Sequence, residues 1–255
     1  MFFGVRTMMF SVLTAALAGA GGAAWAQDAA AATVAEPTSA HSIAFNVAVT
    51  SDYRFRGISQ SRRKPAISGG ADYSHTSGLY VGTWLSSIKW TKDAGGDGHV
   101  EWDIYGGYKG VAGPLNYDVG VLRYQYPDNA LAVSANTTEI YGALSYSLFT
   151  AKYSHSVTNL FGFADSKHSG YLDLSATIDL GQGWSVVPHV GRQWVRHNSD
   201  FSYTDYAVTL NKDFGNGLVA SAALIGTDAD KQLYVTPSGK FTGKHMLVAG
   251  LKYSF

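Results

Sequence analysis

Hydrophobic and polar positions alternate with a period of two along nearly all of the chain from Ser42 to Phe255. Ile43, Phe45, Val47 and Val49 alternate with Ala44, Asn46, Ala48 and Thr50, and the register continues as Tyr53 and Phe55 against Asp52, Arg54 and Arg56. The pattern recurs as Val100, Trp102, Ile104 and Tyr108 opposite Glu101, Asp103, Tyr105 and Lys109. It returns as Ile140, Leu144, Tyr146 and Leu148 opposite Glu139, Tyr141, Ser145 and Ser147, and as Leu172, Leu174, Ala176, Ile178 and Leu180 opposite Asp173, Ser175, Thr177 and Asp179. A helix scatters such sets around its circumference, whereas a strand sorts them onto two faces.

About twelve segments carry this signal: 42–55, 65–74, 78–90, 99–109, 114–126, 138–148, 150–157, 169–180, 184–197, 201–213, 217–226 and 244–255. Most are close to the ~9–11 residues that a tilted strand needs to cross a bilayer. Short connections, at 75–78, 110–113, 149–150, 181–183 and 215–216, alternate with mostly longer polar ones at 56–64, 91–98, 127–137, 158–168, 198–200 and 227–243. Short turns on one side and long loops on the other describe an antiparallel transmembrane β-barrel with both termini on the short-turn, periplasmic side. The connection at 198–200 breaks the rule by being short. Eight strands are filled by their own side chains and 16 to 18 leave a wide channel, so about twelve predict a narrow passage. Inward folding of the connection 227–243 would narrow it further.

A soluble β-sandwich also alternates, but it fills its apolar face with aliphatic residues. Here Trp84, Trp90, Trp102, Trp184, Trp194 and many of the 16 tyrosines fall near predicted strand ends, as two interfacial girdles require. A mean hydropathy of −0.04 excludes a bundle of spanning helices. The balance of 19 Lys+Arg against 19 Asp+Glu supplies no basic field for nucleic acid, and the absence of cysteine removes disulfides, thiolate metal sites and cysteine nucleophiles.

The first 26 residues read as a leader: Arg6 precedes an apolar run from Met8 to Ala20, and Ala24-Trp25-Ala26 suits a signal peptidase cutting before Gln27. A retained anchor is disfavoured by the short apolar run and by Gly21-Gly22. Residues 27–41 lack periodicity and read as a flexible linker, which leaves 42–255 as the barrel domain, exported to the bacterial outer membrane.

Strand parity then assigns the lumen. If Ile43, Phe45, Val47 and Val49 face lipid, Asn46, Thr50, Asp52, Arg54 and Arg56 face inward. The same logic sends Asp72, Glu101, Asp103, Lys109, Asp118, Glu139, Lys152, Asp173, Asp179, Asp205 and Lys252 inside. Placing Arg or Lys on the lipid face at the midplane costs about 2–4 kcal/mol, so parity is a physical constraint. Arg54 and Arg56 opposite a wall rich in Asp and Glu have the makings of a charged constriction. The same charges, paired across neighbouring strands, would instead plug the barrel. On 184–197, Trp184, Val186 and Val190 share parity with Arg192 and Arg196, which suggests a bulge.

An outer-membrane lipid hydrolase would need a Ser and a His on adjacent strands of the outer face. His155 has outward parity, but its expected neighbours are Ile140, Gly142, Leu144, Tyr146, Leu172, Leu174 and Ala176, with no serine among them. The other histidines are dispersed. Asp93-Ala94-Gly95-Gly96-Asp97-Gly98 lacks the ligand order of a calcium loop. No catalytic residue, metal or cofactor is expected.

Two further stretches sharpen the reading. Gly250-Leu251-Lys252-Tyr253-Ser254-Phe255 places Tyr253 and Phe255 at the third-from-last and last positions of a terminal strand, resembling the signal that outer-membrane barrel-assembly machinery recognises, with Gly250 in the same run. The block Thr50-Ser51-Asp52-Tyr53-Arg54-Phe55-Arg56-Gly57-Ile58-Ser59-Gln60, followed by Pro65-Ala66, Gly69-Gly70, Asp72-Tyr73 and Gly78-Leu79-Tyr80-Val81-Gly82, resembles the TorF-type family of proteobacterial porin-like proteins. That resemblance implies a small outer-membrane barrel that passes small solutes or ions, with outer-membrane lipid, lipopolysaccharide and the assembly machinery as its partners. A plugged structural or adhesive barrel is the competing expectation.

Overall fold

The computed structural model describes residues 39–255, so the expected leader and nearly all of the linker lie outside the described residues. The wall consists of β1 (His41–Thr50), β4 (Ala66–His75), β5 (Leu79–Ser87), β6 (Val100–Ala112), β7 (Leu115–Gln125), β8 (Thr137–Tyr146), β9 (Phe149–Ser156), β10 (Gly170–Ala176) continued by β11 (Ile178–Gly181), β12 (Trp184–Trp194), β13 (Tyr203–Asp213), β14 (Leu218–Thr227) and β15 (Met246–Ser254). β10 and β11 are one wall strand interrupted at Thr177, which gives twelve. Each pairs antiparallel with its neighbours, and the β1–β15 and β10–β12 pairings complete a closed barrel. Closure removes the sheet edges that an open sheet of this size would expose. A short hairpin, β2 (Arg54–Phe55) with β3 (Ile58–Ser59), and one helical turn, α1 (Trp90–Asp93), lie in the connections.

The connections sort by length as the sequence predicts. Turns such as Ser147–Leu148 close one end, where Ser147 takes a positive φ of 54°. At the other end lie six long connections: 51–65, 88–99, 126–136, 157–169, 195–202 and 228–245. The apparently short connection at 198–200 is part of the eight-residue segment 195–202. Val195 to His197 continue the alternation in sequence, but the backbone N–H groups of Val195 and Arg196 go to Ser202 Oγ and Ser169 Oγ, not to a neighbouring strand. The strand ends at Trp194, and the alternation of short and long connections holds throughout.

The outward face is apolar. Ile43, Phe45, Val47 and Val49 are exposed, as are Val119, Val121, Ile140, Leu144, Val208, Leu224 and Leu247 on other strands. An apolar surface running around the whole wall far exceeds the few hundred Å² that a soluble monomer tolerates, and it suits hydrocarbon. Trp102, Trp184 and Trp194 stand on this face. Trp84 and Trp90 do not belong to the girdle: Trp84 shares inward parity with Tyr80, Gly82 and Ser86 and is buried, and Trp90 packs from α1 against the interior. β12 pairs with β13 in unbroken register from Trp184 to Gln193; the irregularity lies in β11, between Asp179 and Gly181. Arg192 therefore does face outward, at the long-loop end, where Thr204 Oγ1 accepts from it at 3.0 Å and Asp228 lies 3.9 Å away.

Candidate functional site

The first loop occupies the lumen. After Ser51, whose N–H still bonds Ala249 of the wall, the chain turns inward and forms its own hairpin, with Phe55 opposite Ile58 and Arg54 opposite Ser59. Its two-residue turn is Arg56-Gly57, with φ of 47° and 76°, the double positive φ of a type I′ turn. Asp52 holds the base together: its carboxylate accepts from Arg54 Nε at 2.6 Å, Ser59 Oγ at 2.6 Å and Ser61 Oγ at 3.1 Å. Residues 52–61 are all buried. Asp52, Arg54 and Arg56 thus keep the alternation expected of them but do not lie on the barrel wall, because β2 takes its ladder bonds from β3.

The hairpin tip reaches across the barrel. Arg56 donates from Nη1 to Glu139 Oε1 at 3.0 Å and to Gln193 Oε1 at 2.7 Å, and from Nη2 to Glu139 Oε2 at 2.7 Å, tying the loop to β8 and β12 at once. Its guanidinium lies 4.2 Å from the ring centre of Tyr171 and 4.7 Å from that of Phe55. Burial works against the Arg56 cation, but Glu139 outweighs it and holds the group above its ordinary pKa. At Arg54 burial prevails over Asp52, and the pKa is lowered. Arg54 also donates to the carbonyls of Gly57 and, at 3.0 Å, Thr242, so the connection 228–245 does bend inward and rests on the hairpin. Around the tip, Tyr171 donates to Asp205 at 3.0 Å, and His189 lies 2.9 Å from Asp173 and 3.7 Å from Asp205. Gly57 is indispensable at the tip: a Cβ there would stand 2.5 Å from Thr227 Cγ2 and 2.7 Å from Asp205 Cβ.

Beside these ion pairs lies an apolar core of the kind found in soluble proteins. Tyr53, Phe55, Trp84, Ile88, Leu122, Tyr124 and Tyr126 are buried together, with Phe161 packed against them. Phe55 meets Tyr124 and Phe161 edge-on at 5.4 and 5.3 Å, and Tyr53 meets Trp84 at 5.4 Å. Tyr53 donates to Glu101 at 3.1 Å. Glu101, Asp103 and Glu139 all have inward parity and are buried, with Glu101 and Glu139 bonded by Tyr53 and Arg56 of the hairpin.

Towards the short turns the lumen is built differently. Tyr105, Tyr80 and Tyr141 lie against the wall over Gly82, Gly107 and Gly120, so closely that a Cβ on any of those glycines would collide with the ring lying over it. Hydrogen bonds hold the rings there: Tyr105 donates to Asp72 at 2.5 Å, Tyr80 donates to Asp118 at 2.5 Å, and the Tyr80 and Tyr141 hydroxyls bond each other. Lys109 sits 4.7 Å from the Tyr80 ring centre and 3.9 Å from Asp118, and Lys152 sits 4.3 Å from the Tyr141 ring centre. Lys152 and Asp173 stand opposite each other in the β9–β10 register. Asp72, Lys109, Lys152 and Asp173 therefore line the wall with mixed sign. Asp72 is held by Tyr105, while Arg54 and Arg56 find their carboxylates in Asp52 and Glu139.

Sequence reasoning missed the hairpin itself and with it the roles of Tyr53, Phe55, Tyr171 and Gln193. The available signal was Arg56-Gly57, a turn pair placed directly after the alternating run Asp52 to Phe55. Elsewhere, His155 hydrogen-bonds His168 at 3.0 Å on the outer surface. In the acidic run, Asp93 pairs with Arg62 at 2.6 Å and Asp97 lies 3.4 Å from Lys92. At the terminal seam the backbones of Phe45 and Phe255 exchange hydrogen bonds, and the Phe255 ring stacks between those of Phe45 and Tyr253 at 5.8 and 5.6 Å. Gly250 falls on lumen parity with Lys252, opposite in face to Tyr253 and Phe255.

Solved porins share this architecture. The KdgM porin matches with a TM-score of 0.54 at 7% identity, over 84% of this chain and 98% of that one. A second KdgM structure, with disordered oligogalacturonate, gives 0.53 over the same shares, again at 7% identity. The NanC porin gives 0.51 at 10% identity, over 84% of this chain and 99% of its own. At such identities the likeness is one of fold. No curated protein matches the sequence. Residues 34–255 match a family described as a bacterial protein of unknown function, Gcw_chp, and the chain, a twelve-stranded barrel of porin-like fold, belongs to that family.

Proposed function

We propose that this protein is an outer-membrane channel for small solutes or ions, with its long loops outside, both termini in the periplasm, and its first loop as the constriction. The observation that carries this reading is the short-turn half of the lumen, where tyrosine rings are laid over glycines and Asp72, Asp118 and Lys109 remain partly exposed on the inner wall. A barrel with a purely structural role gains nothing from holding large aromatic side chains flat against the wall. The porin-like fold and the TorF-type resemblance of the block that forms the hairpin favour the same reading. Lys109 and Lys152 among carboxylates make the wall mixed in sign, which suits small solutes of either charge better than a polyanion such as the oligogalacturonate of the KdgM complex.

A second reading is a barrel closed by its own loop that serves a structural or adhesive role. The buried hairpin and its Arg56–Glu139 pair favour it. Conductance of the refolded protein in a planar bilayer separates the two: discrete, salt-dependent steps establish a channel, and silence both in the wild type and after removal of residues 53–60 establishes the closed barrel.

The terminal seam supports a further part of the reading, recognition of Tyr253 and Phe255 by the barrel-assembly machinery in a membrane of lipid and lipopolysaccharide. Phe255→Ser should reduce the heat-modifiable, folded fraction in the outer membrane while export continues. An unchanged folded fraction removes that role.

A further inference from the structure

The six long connections do more than cover the barrel mouth. Together they enclose a cavity of ≈600 Å³ directly above the hairpin. Each connection contributes an aromatic ring to it: Phe55, Trp90, Tyr126, Phe161, Phe201 and Tyr234. These rings brace one another, Trp90 with Tyr126 at 5.0 Å, Phe55 with Phe161 at 5.3 Å and Phe201 with Tyr234 at 5.8 Å. Loops outside a membrane are ordinarily polar, and an apolar aromatic surface turned towards water is costly unless something covers it.

From this geometry we infer a binding site for one small, uncharged, mainly aromatic molecule, seated on the hairpin side chains Phe55 and Ile58. The volume lies within the roughly 300–1,000 Å³ of small-molecule sites. Asp93 is the sole charged side chain lining the cavity among the described residues, and Arg62 holds it at 2.6 Å, so the site offers no unengaged charge to an ionic ligand. Edge-to-face rings recognise a planar apolar solute. The Trp90 ring is among the lining side chains, and its indole N–H is buried with no hydrogen-bond partner among the described residues. The site stands whether or not the barrel conducts, because it lies wholly on the loop side of the hairpin.

Equilibrium dialysis of 2-naphthol against the full-length protein in lipid nanodiscs, with empty nanodiscs as the partition control, tests the inference. The expected result is saturable binding of one probe per barrel. 2-Naphthoate, of the same shape but charged, should bind at least tenfold more weakly. Leu233→Asp introduces a charge at an exposed position of the cavity lining, and it should weaken 2-naphthol binding at least tenfold while the heat-modifiable band is retained. Phe163→Ala, which removes a ring from the lining, should do the same and serves if the first variant does not fold. Uptake that matches empty nanodiscs overturns the inference, and so does tighter binding of 2-naphthoate or of palmitate than of 2-naphthol.

Discussion

On β8, Glu139 and Tyr141 are successive inward positions, yet they belong to different kinds of interior. Glu139 is sealed beneath the hairpin in a bidentate pair with Arg56, at the edge of an apolar core. Tyr141, half-buried at the margin of that core, lies over Gly120 with Lys152 above its ring, on a stretch of wall to which the hairpin makes no hydrogen bond or ion pair among the described residues. On β5 the same transition separates Trp84, buried against Tyr53, from Gly82, whose missing side chain makes room for Tyr105. The strands are continuous across both halves. The difference arises because the loop-end half is filled by a segment inserted from elsewhere in the chain, whereas the turn-end half is kept clear by pairing large residues with absent ones. A barrel can therefore set its passage by a loop without altering the wall, and the two halves should respond separately to mutation.

The largest expected effect comes from replacing residues 53–60 with a short Gly-Ser linker. Single-channel conductance should rise by at least about tenfold, since the wall of a twelve-stranded barrel then limits flow instead of the loop. An unchanged conductance means that the turn-end half is the true constriction, and the contrast between the halves fails.

Next is Glu139→Gln, which leaves the Arg56 cation buried with only neutral partners. Removing one member of such a pair costs about 3–5 kcal/mol, read as a lowered melting temperature of the hairpin-dependent transition. Arg56→Met combined with Glu139→Leu should recover most of that loss. If the single variant melts like the wild type, the pair is solvated and the loop-end half is not a packed interior.

Gly57→Val should cost roughly 2–3 kcal/mol, combining the strain of a positive φ in a β-branched residue with contacts against Asp205 and Thr227. Protease accessibility of the first loop should rise with it. Wild-type protection would show that the tip accommodates a side chain.

The smallest effect is expected from Gly82→Ala in the linker background. Displacing Tyr105 from the wall should reduce conductance by roughly twofold and leave the melting temperature of the barrel little changed. The same change in the intact protein should be harder to detect, because the hairpin already limits flow.

Much of the wall is legible in the sequence alone. The alternation around Ile43 to Thr50, Val100 to Lys109 and Ile140 to Leu148 assigns faces correctly, since a strand's side-chain period is local and the cost of a charge in hydrocarbon forbids the opposite assignment. Parity also placed Asp72, Glu101, Asp103, Lys109, Glu139, Lys152 and Asp173 inward. It misled at Trp84, where proximity to a strand end suggested a girdle although the residue shares parity with Tyr80 and Gly82. It misled again at Val195 to His197, where alternation outlasts the ladder.

Asp52 to Arg56 mark the boundary between the two sources of information. Their alternation is real and is used, but by a strand whose partner is β3, and period two does not say which strand supplies the partner. That choice depends on Gly57, on the fit of Phe55 against Tyr124 and Phe161, and on the carboxylate of Glu139, 83 residues away in sequence. The sequence by itself determined twelve amphipathic strands, their two faces and the end at which the long loops gather, because each follows from local period and local turn chemistry. Only the tertiary structure decided that the first loop enters the barrel and that tyrosines lie on the glycines of neighbouring strands. Both depend on cross-barrel or cross-strand complementarity of shape and charge, which becomes defined once the sheet has closed.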